Sequence, residues 1–242
     1  MHRQLVLRCF LHGGKRKGAG RKPKGPRPML PHARREAVRK DTPLHITVRL
    51  APGLPNLRRQ AEMNVIRAAL RAARGRNGLR LIHYSVLGNH LHLLVEAPDR
   101  ESVSRGMNGL LVRLAKNLNR LWHRRGKVFP DRYHEERLTT PTQARNALRY
   151  VLNNAKKHGL LGASSLDPCS SAIAFDGWKQ PSIPPQPLDT VLAPATWLLR
   201  SGWRRQGLLD HREIPIARSS GRGARGGSPR EAQRNPRRED HE

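Results

Sequence analysis

The sequence has few of the residues that crosslink small proteins or carry a chain across a membrane. It has two cysteines, Cys9 and Cys169, which lie far apart in segments of irregular pattern. Two such cysteines indicate neither a disulfide framework nor a thiolate metal site, and they are simplest to explain in a reducing cytoplasm. No window approaches the roughly 20 apolar residues that a membrane span needs. Residues 1–14 also lack the pattern of a signal peptide, so we expect no membrane association.

Acidic residues are also scarce. The chain of 242 residues has 18 acidic against 47 basic side chains, which gives a formal net charge of +29. A surface this basic attracts a polyanion, and nucleic acid is the usual one. A general enrichment in arginine is the alternative explanation, but it does not account for the lysines near residue 15. We therefore expect a nucleic-acid partner and a cytoplasmic, nucleoid-associated location.

Apolar residues make up only 36% of the chain and are concentrated in its middle. This distribution predicts a basic disordered arm over residues 1–43, a folded domain over 44–162, and a Pro/Gly/Arg-rich, mostly disordered tail over 163–242. Some local packing is expected within that tail, including a short helix over residues 194–205. Three tryptophans indicate it: Trp178, Trp197 and Trp203.

One basic motif lies in the predicted arm. The run from Gly20 to Gly25 is similar to an AT-hook, a short arginine arm that enters the minor groove of DNA. Arg21, Lys22 and Lys24 are its candidate DNA-binding residues, although Lys22 separates the arginine from the following proline and so departs from the usual core. A plain polybasic tail is the alternative interpretation.

The middle of the chain contains regular hydrophobic patterns. The run His45–Leu50 alternates, with Ile46, Val48 and Leu50 on one face of a strand. The predicted elements are a strand over 45–50, a helix over 56–74, a hairpin of strands over 79–87 and 90–97, a helix over 102–122, an irregular segment or short strand pair over 128–138, and a helix over 140–158.

Two helix starts have capping signals. Asn56 is the predicted N-cap of the first helix, and Thr140 begins a capping box that Gln143 completes. The order of hairpins and helices predicts an α+β fold, ferredoxin-like in outline. We expect an antiparallel sheet with helices on one face.

His90 and His92 are the first candidate site residues. Residues two apart on a strand share a face, so the two imidazoles are expected side by side with Leu91 and Leu93 turned to the core. Two neutral imidazoles one pleat apart can chelate a divalent cation. The motif is short, and two histidines without a metal role are the alternative.

Tyr150 and Asn154 are the second candidate pair. Four residues apart on the last helix, they share a face at the edge of its buried stripe. Asn154 offers a carbonyl oxygen as a hard ligand for Mg²⁺ or Mn²⁺. The alternative is an ordinary boundary tyrosine beside a surface amide. Tyr133, in an irregular segment, is a competing nucleophile or a residue that stacks on DNA bases.

Three basic residues lie on one side of the 102–122 helix: Arg113, Lys116 and Arg120. As a stripe facing DNA they would bind phosphates and make the affinity depend on salt. As a solvated face they need no function. The pattern alone leaves both interpretations open.

The run from Gly88 to Val95 resembles the histidine-hydrophobic-histidine strand of the HUH endonuclease superfamily, and most of all that of its REP-associated and insertion-sequence single-tyrosine transposases. The run from Tyr150 to Gly159 is similar to the catalytic helix of the REP-associated group, where an amide four residues after the tyrosine completes the metal site. The resemblance covers about residues 44–160. Ala155 departs from it, since many relatives have proline after the amide.

This resemblance implies a transposase that cuts and rejoins single-stranded or hairpin DNA. Tyr150 would attack a phosphate and form a 5′-phosphotyrosine, while His90, His92 and Asn154 would hold Mg²⁺ or Mn²⁺. The cation, or nearby Lys156, Lys157 or His158, would favour the ionised form of the phenol, and Lys157 is also a candidate DNA-binding residue.

Two alternatives remain open from the sequence. One is a nucleic-acid-binding relative that has lost turnover, and the other is a hydrolytic zinc site on the two histidines. The sequence also leaves open whether the chain acts as a monomer or a homodimer.

Overall fold

A computed structural model describes residues 35–162, 164–180 and 184–215. The order of its helices and strands up to residue 162 matches the predicted order, although most of their boundaries differ from the predicted ones by a few residues. The strands are β1 (Leu44–Arg49), β2 (Arg80–Val86), β3 (His90–Glu96) and β4 (His134–Arg137). The helices are α1 (Gln60–Ala73), α2 (Arg100–Leu121), α3 (Pro141–Lys157) and α4 (Trp197–Arg200), with short 3₁₀ turns at Arg76–Gly78, Ala172–Ala174 and Gly202–Gln206.

The four strands form one antiparallel sheet in the order β2-β3-β1-β4. The predicted α+β fold is therefore confirmed, and the segment left open over 128–138 supplies the edge strand β4. In the pairing of β1 with β3, Thr47 lies opposite His92 and Arg49 opposite His90. This register places the polar residues of β1 beside the two histidines of β3.

Helices α1 and α2 cover one face of the sheet. Ile46 and Val48 of β1 and Leu91 and Leu93 of β3 point into this layer, as the alternation predicts. The predicted N-cap of α1 is wrong. The Asn56 Oδ1 accepts a hydrogen bond from the backbone N of Arg58 in a turn that precedes the helix, so α1 begins only at Gln60.

Helix α3 lies on the opposite face, so the prediction of helices on one face is corrected. Ile82 of β2 and Leu94 of β3 pack against its apolar residues, which include Leu148 and Val151. The sheet is apolar on part of both faces, and each face is covered by helix. The capping prediction is confirmed in outline, since the Thr140 hydroxyl accepts from the backbone N of Gln143 and Pro141 takes the first helical position.

The predicted disordered tail over 163–242 is corrected for its described part. Residues 164–180 and 184–215 pack against both layers: Cys169 and Val191 join the apolar cluster of α1 and α2, whereas on the α3 side Trp203 is 1% exposed and its ring lies 5.3 Å from that of Phe175. Helix α4 and the 3₁₀ turn Gly202–Gln206 together take the place of the predicted 194–205 helix. The elements of this segment are short and separated by prolines, so they give no periodic pattern from which the packing could be predicted. Residues 1–34 and 216–242, with most of the predicted basic arm, lie outside the described residues.

Two buried carboxylates fasten this C-terminal segment to the sheet layer. Asp167 binds the Arg58 guanidinium through two hydrogen bonds of 2.8 and 2.9 Å. Glu96, at the end of β3, accepts from the backbone N of Ala195 at 2.8 Å and from both the backbone N and the hydroxyl of Thr196. Both carboxylates have their hydrogen bonds satisfied, as buried charges require.

The segment then runs along one flank of α3. The Arg145 guanidinium donates to the Gly207 carbonyl at 2.9 Å, and the Asn153 amide donates to the Asp210 carbonyl at 3.0 Å. Lys156 donates to the His211 carbonyl one turn further on. We call residues 207–213 the strap, and it holds α3 in place along most of its length.

Within the described residues, no helix has the length and apolar character to cross a lipid bilayer.

His83 is a further buried group that joins the C-terminal segment to the sheet. Its Nδ1 lies 3.1 Å from the Ser171 hydroxyl, and its ring contacts Phe175 edge-on. Complete burial lowers the pKa of His83 to about 4. The histidine is therefore neutral in the folded protein at neutral pH.

His83 predicts a specific loss of stability in acid. The unfolded chain binds this proton near pH 6.5, whereas the folded chain resists it until about pH 4, so stability falls as the pH drops between these values. Below pH 4 the free energy of unfolding is expected to be lower by about 3 kcal/mol because of this one histidine. Urea unfolding at a series of pH values should show a shallower acid loss in His83→Gln than in the unchanged protein. Equal losses in the two proteins would contradict this account.

Candidate active site

The two histidines of β3 lie side by side on the face that α3 covers. Their ring centroids are 4.9 Å apart, and both side chains are buried. This arrangement follows from the two-residue repeat of the strand. The geometry predicted for His90 and His92 is therefore present.

Hydrogen bonds orient both imidazoles. The His90 Nδ1 lies 2.7 Å from the Asn89 side-chain oxygen, which only accepts, so Nδ1 carries the proton and Nε2 keeps its lone pair. The His92 Nδ1 lies 3.0 Å from the Thr47 hydroxyl and 3.1 Å from the His45 Nε2. With Nδ1 engaged, His92 has its Nε2 buried without a hydrogen-bond partner among the described residues.

The electrostatics keep these rings neutral. Burial lowers the pKa of His90 to about 4 and that of His92 to about 2, with a smaller effect from the nearby positive charge of Arg49. A neutral imidazole with a free lone pair is the form that binds a cation. At neutral pH both rings are neutral, and His90, whose Nδ1 carries the proton, has the free Nε2 lone pair that a cation needs.

Helix α3 brings three polar side chains to the same place. Tyr150, Asn154 and His158 are spaced four residues apart and share a face of the helix. The Tyr150 ring lies 5.0 Å from the His92 ring, and the His158 ring lies 6.1 Å from the His90 ring. Asn154 lies between them on the same face of α3.

Asn154 has an unusual environment. Its side chain is 0% exposed. Neither its amide oxygen nor its amide nitrogen makes a hydrogen bond of full geometry among the described residues, although the amide lies close enough to the Tyr150 phenol to lower its pKa. Leaving such groups unpaired costs about 1–3 kcal/mol each, so each one needs an explanation. A ligand that uses the amide oxygen would supply one.

These donors fit a divalent cation. Two imidazole nitrogens and one amide oxygen are borderline-to-hard ligands of the kind that Mg²⁺ or Mn²⁺ accepts in an open site. The described part of the chain contains no group of three or more His, Cys, Asp or Glu able to hold a metal. The Nε2 of His92 and the amide oxygen of Asn154 are the atoms that would bind such an ion.

The Tyr150 phenol lies at the edge of an open cleft of about 360 Å³. Burial raises the pKa of Tyr150, while Arg49 and the Asn154 amide act in the opposite direction. The Lys157 ammonium lies 4.9 Å from the centre of the Tyr150 ring. Two cations therefore flank a half-buried phenol, beside a space that an anion can enter.

Several residues that line the cleft were not among the site residues predicted from the sequence. Those from β1 follow the alternation of the strand, because the residues between its apolar ones must face α3. The cleft residues of β4 come from the segment whose structure the sequence left open. The missed residues are His45, Thr47 and Arg49 of β1 and His134 and Glu136 of β4.

Tyr133 lies elsewhere. It packs against the layer of α1 and α2, on the other side of the sheet, and the Arg35 guanidinium lies 3.6 Å from its ring centre. A base could stack on this ring only after displacing Arg35, whose guanidinium also pairs with Glu135 at 2.8 Å. Tyr133 is therefore not placed to compete with Tyr150 at the imidazole pair.

The predicted DNA-binding residues that the structure describes do not lie on one surface. Lys157 lies at the cleft, whereas Arg113, Lys116 and Arg120 belong to α2 on the opposite face of the sheet. The cleft and the α2 stripe are therefore separate surfaces. The three candidate residues of the AT-hook-like motif lie outside the described residues: Arg21, Lys22 and Lys24.

The chain is similar to known proteins in its three-dimensional structure. No family model matches the chain, and no curated protein matches it. A REP-associated tyrosine transposase bound to a REP hairpin is similar over 59% of this chain and 82% of its own, at 18% identity and a TM-score of 0.48. A protein of Deinococcus radiodurans R1, provisionally described as a transposase, is similar over 48% of this chain and 90% of its own, at 16% identity and a TM-score of 0.35. Likeness of this degree does not transfer a function.

The orientation of His92 gives a test that needs no substrate. Thr47→Val keeps the shape of the side chain but removes the hydroxyl beside the His92 Nδ1. We expect it to raise the Kd for Mn²⁺ about 10- to 100-fold, the usual effect of losing such a supporting contact. Titration calorimetry with Mn²⁺ alone measures this.

Two further variants control the Thr47 experiment. Thr47→Ser, which restores the hydroxyl, should recover most of the affinity, and Thr42→Val, in the turn before β1, should not change it. Normal Mn²⁺ affinity in Thr47→Val, together with a loss in His92→Ala, would show that Thr47 does not orient the ligand.

Proposed function

We propose that this chain is a metal-dependent DNA transposase of the single-tyrosine type, which cleaves and rejoins single-stranded or hairpin DNA. The observation that carries the proposal is the meeting of α3 with β3. The Tyr150 phenol and the His92 imidazole line one cleft, the His90 imidazole lies beside that of His92, and the buried Asn154 amide lies one turn along α3 from the phenol. A nucleophile beside a cation site and an anion-sized space suits phosphoryl transfer.

The residues that would hold the ion are His90, His92 and Asn154. When bound, Mg²⁺ or Mn²⁺ supplies a Lewis acid that polarises and orients the scissile phosphate. The Asn89 oxygen and the Thr47 hydroxyl keep the two imidazoles turned toward it.

Tyr150 is the nucleophile. Its phenolic oxygen forms a bond to phosphorus while the bond from phosphorus to the 3′ oxygen breaks, leaving a 5′-phosphotyrosine and a 3′ hydroxyl. The phenol loses a proton and the departing oxygen gains one. In rejoining, a 3′ hydroxyl attacks the phosphotyrosine, so the energy of the phosphodiester is kept and no ATP is needed. The sequence accordingly has no Walker-type phosphate loop.

Arg49 and Lys157 assist this chemistry. A tyrosine with an ordinary pKa of about 10 is a weak nucleophile at neutral pH, and burial raises the pKa of Tyr150 further. Positive charge close to the phenol favours its ionised form. Arg49 is exposed at the end of β1 and makes no ion pair within the described residues, so its guanidinium is free to bind the phosphate that Tyr150 attacks.

The position of α3 bears on the assembly. The strap of the same chain holds this helix through Arg145, Asn153 and Lys156. We therefore propose that one chain contains a complete site, so that a homodimer is not required for cleavage. The net charge of +29 supports DNA as the partner and a cytoplasmic, nucleoid-associated location.

The nucleophile can be tested directly. Purified protein, incubated with labelled single-stranded and hairpin DNA and Mn²⁺, should form a protein–DNA adduct that survives denaturation. Tyr150→Phe should abolish the adduct, because it lacks the attacking oxygen, and should leave DNA binding nearly unchanged. Denaturing gel electrophoresis measures both product and adduct.

Tyr133→Phe is the matched control for that experiment, and it should form the adduct at the normal rate. If Tyr133→Phe removes the adduct and Tyr150→Phe does not, the nucleophile is misassigned. If no substrate gives an adduct, the alternative of a nucleic-acid-binding protein without turnover is supported. Product ends free of protein, with stoichiometric bound zinc, would support the hydrolytic alternative.

Arg49 gives a second test of the mechanism. Arg49→Ala should slow adduct formation about 100-fold at saturating DNA, as is typical when a charge-stabilising donor is removed. Arg49→Lys should recover part of the rate. Arg113→Ala, which removes the same charge from the opposite layer, should leave the rate within about twofold; equal effects of the two alanine variants would indicate general electrostatic binding instead.

A further inference from the structure

One aromatic side chain outside the cleft is unusually exposed. Trp197, at the start of α4, is 45% exposed, whereas Trp178 and Trp203 of the same segment are 6% and 1% exposed. The two residues that follow Trp197, Leu198 and Leu199, are buried in the apolar cluster under α3. The exposed indole is therefore carried by a well-packed element on the same layer as Tyr150.

The indole is held in a fixed position. A Cβ atom built at Gly202 would come within 2.8 Å of two ring atoms of Trp197, so this glycine lets the ring lie against the backbone. The Arg205 guanidinium lies over the ring, 4.9 Å from its centre, but no carboxylate of the described residues holds it there, so a base could displace it, unlike Arg35 over Tyr133. Because the ring is already immobilised, a flat ligand would stack on its exposed part at a reduced cost in conformational entropy.

The surroundings of Trp197 are positively charged. Arg204 pairs with Asp176 at 3.0 Å, but Arg200 and Arg205 are exposed and have no carboxylate partner within the described residues. An exposed aromatic ring with one arginine against it, Arg205, and a second exposed arginine three residues along the chain, Arg200, suits single-stranded nucleic acid, with bases on the ring and phosphates on the guanidinium groups.

We propose that Trp197, with Arg200 and Arg205, forms a platform that stacks a base of single-stranded DNA outside the cleavage site. The inference rests on the proposed function in one respect, that the strand is the DNA which Tyr150 attacks. The high positive charge of the whole chain favours a polyanion over a neutral protein surface as the occupant. The platform contributes binding and takes no part in the chemistry.

The experiment uses the full chain carrying Tyr150→Phe, so that no covalent product forms. The probe is oligothymidine of about 16 nucleotides, the upper range of a single-strand site, which forms no hairpin. Stacking should quench tryptophan fluorescence, and Trp197→Phe should remove the quench while fluorescence anisotropy of a labelled probe still reports binding. Trp197→Ala should raise the Kd about 5- to 150-fold, the range for losing one stacked base.

Matched variants separate direct contact from a structural effect. Trp122→Phe makes the same change at a half-buried tryptophan on the α2 side and should keep the quench. Arg200→Ala and Arg205→Ala, both at exposed positions, should each lower the salt dependence of binding by about one phosphate contact. An unchanged quench in Trp197→Phe, or an unchanged Kd in Trp197→Ala, overturns the platform, and an absence of quenching in the parent protein does so too.

The two proposals fail in different ways. If Trp197→Ala with an intact Tyr150 forms the adduct normally and binds oligothymidine normally, the platform is wrong and the transposase assignment stands. If the protein forms no adduct on any DNA but shows quenching that depends on Trp197, the platform stands and the catalytic assignment is wrong.

Discussion

The pairing register of β1 with β3 is the constraint on which the site depends. It sets Thr47 against His92 and Arg49 against His90, while Ile46 and Val48 point to the opposite layer. A slip by one residue would turn every one of these side chains to the other face. The burial of the aliphatic residues under α1 and α2 therefore also fixes the polar surface that α3 covers, so that packing on one side of the sheet determines chemistry on the other.

The site also retains groups that do not favour stability by themselves. His92 has a buried ring nitrogen and Asn154 has a buried amide that find no hydrogen-bond partner among the described residues. Replacing them by apolar residues of similar size would remove this desolvation penalty. Local conflicts with stability of this kind are expected at functional sites, and binding an ion is the role that we propose for these two residues.

Much of this architecture could be predicted from residue periodicity. Alternation identified β1, the His90–His92 strand and its partner, and the spacing of Tyr150 and Asn154 placed them on one helix face. The face of the sheet that α3 occupies could not be inferred, because Ile82 and Leu94 belong to runs that are apolar on both sides. The ordered residues beyond 163 were missed for another reason. Their stability comes from long-range contacts with α3, such as that of Arg145, which no local pattern shows.

The strap has a consequence for how the molecule can be divided. Sequence patterns suggest a compact unit ending near residue 162, yet the residues that bury Ala147 and Leu148 of α3 include Trp203 and Leu209, which come later. A shorter fragment would leave the apolar flank of this helix open to solvent, and exposed patches of that kind promote aggregation. A fragment that keeps this flank covered must therefore include the strap through residue 213, and gene fusions or truncations should preserve it.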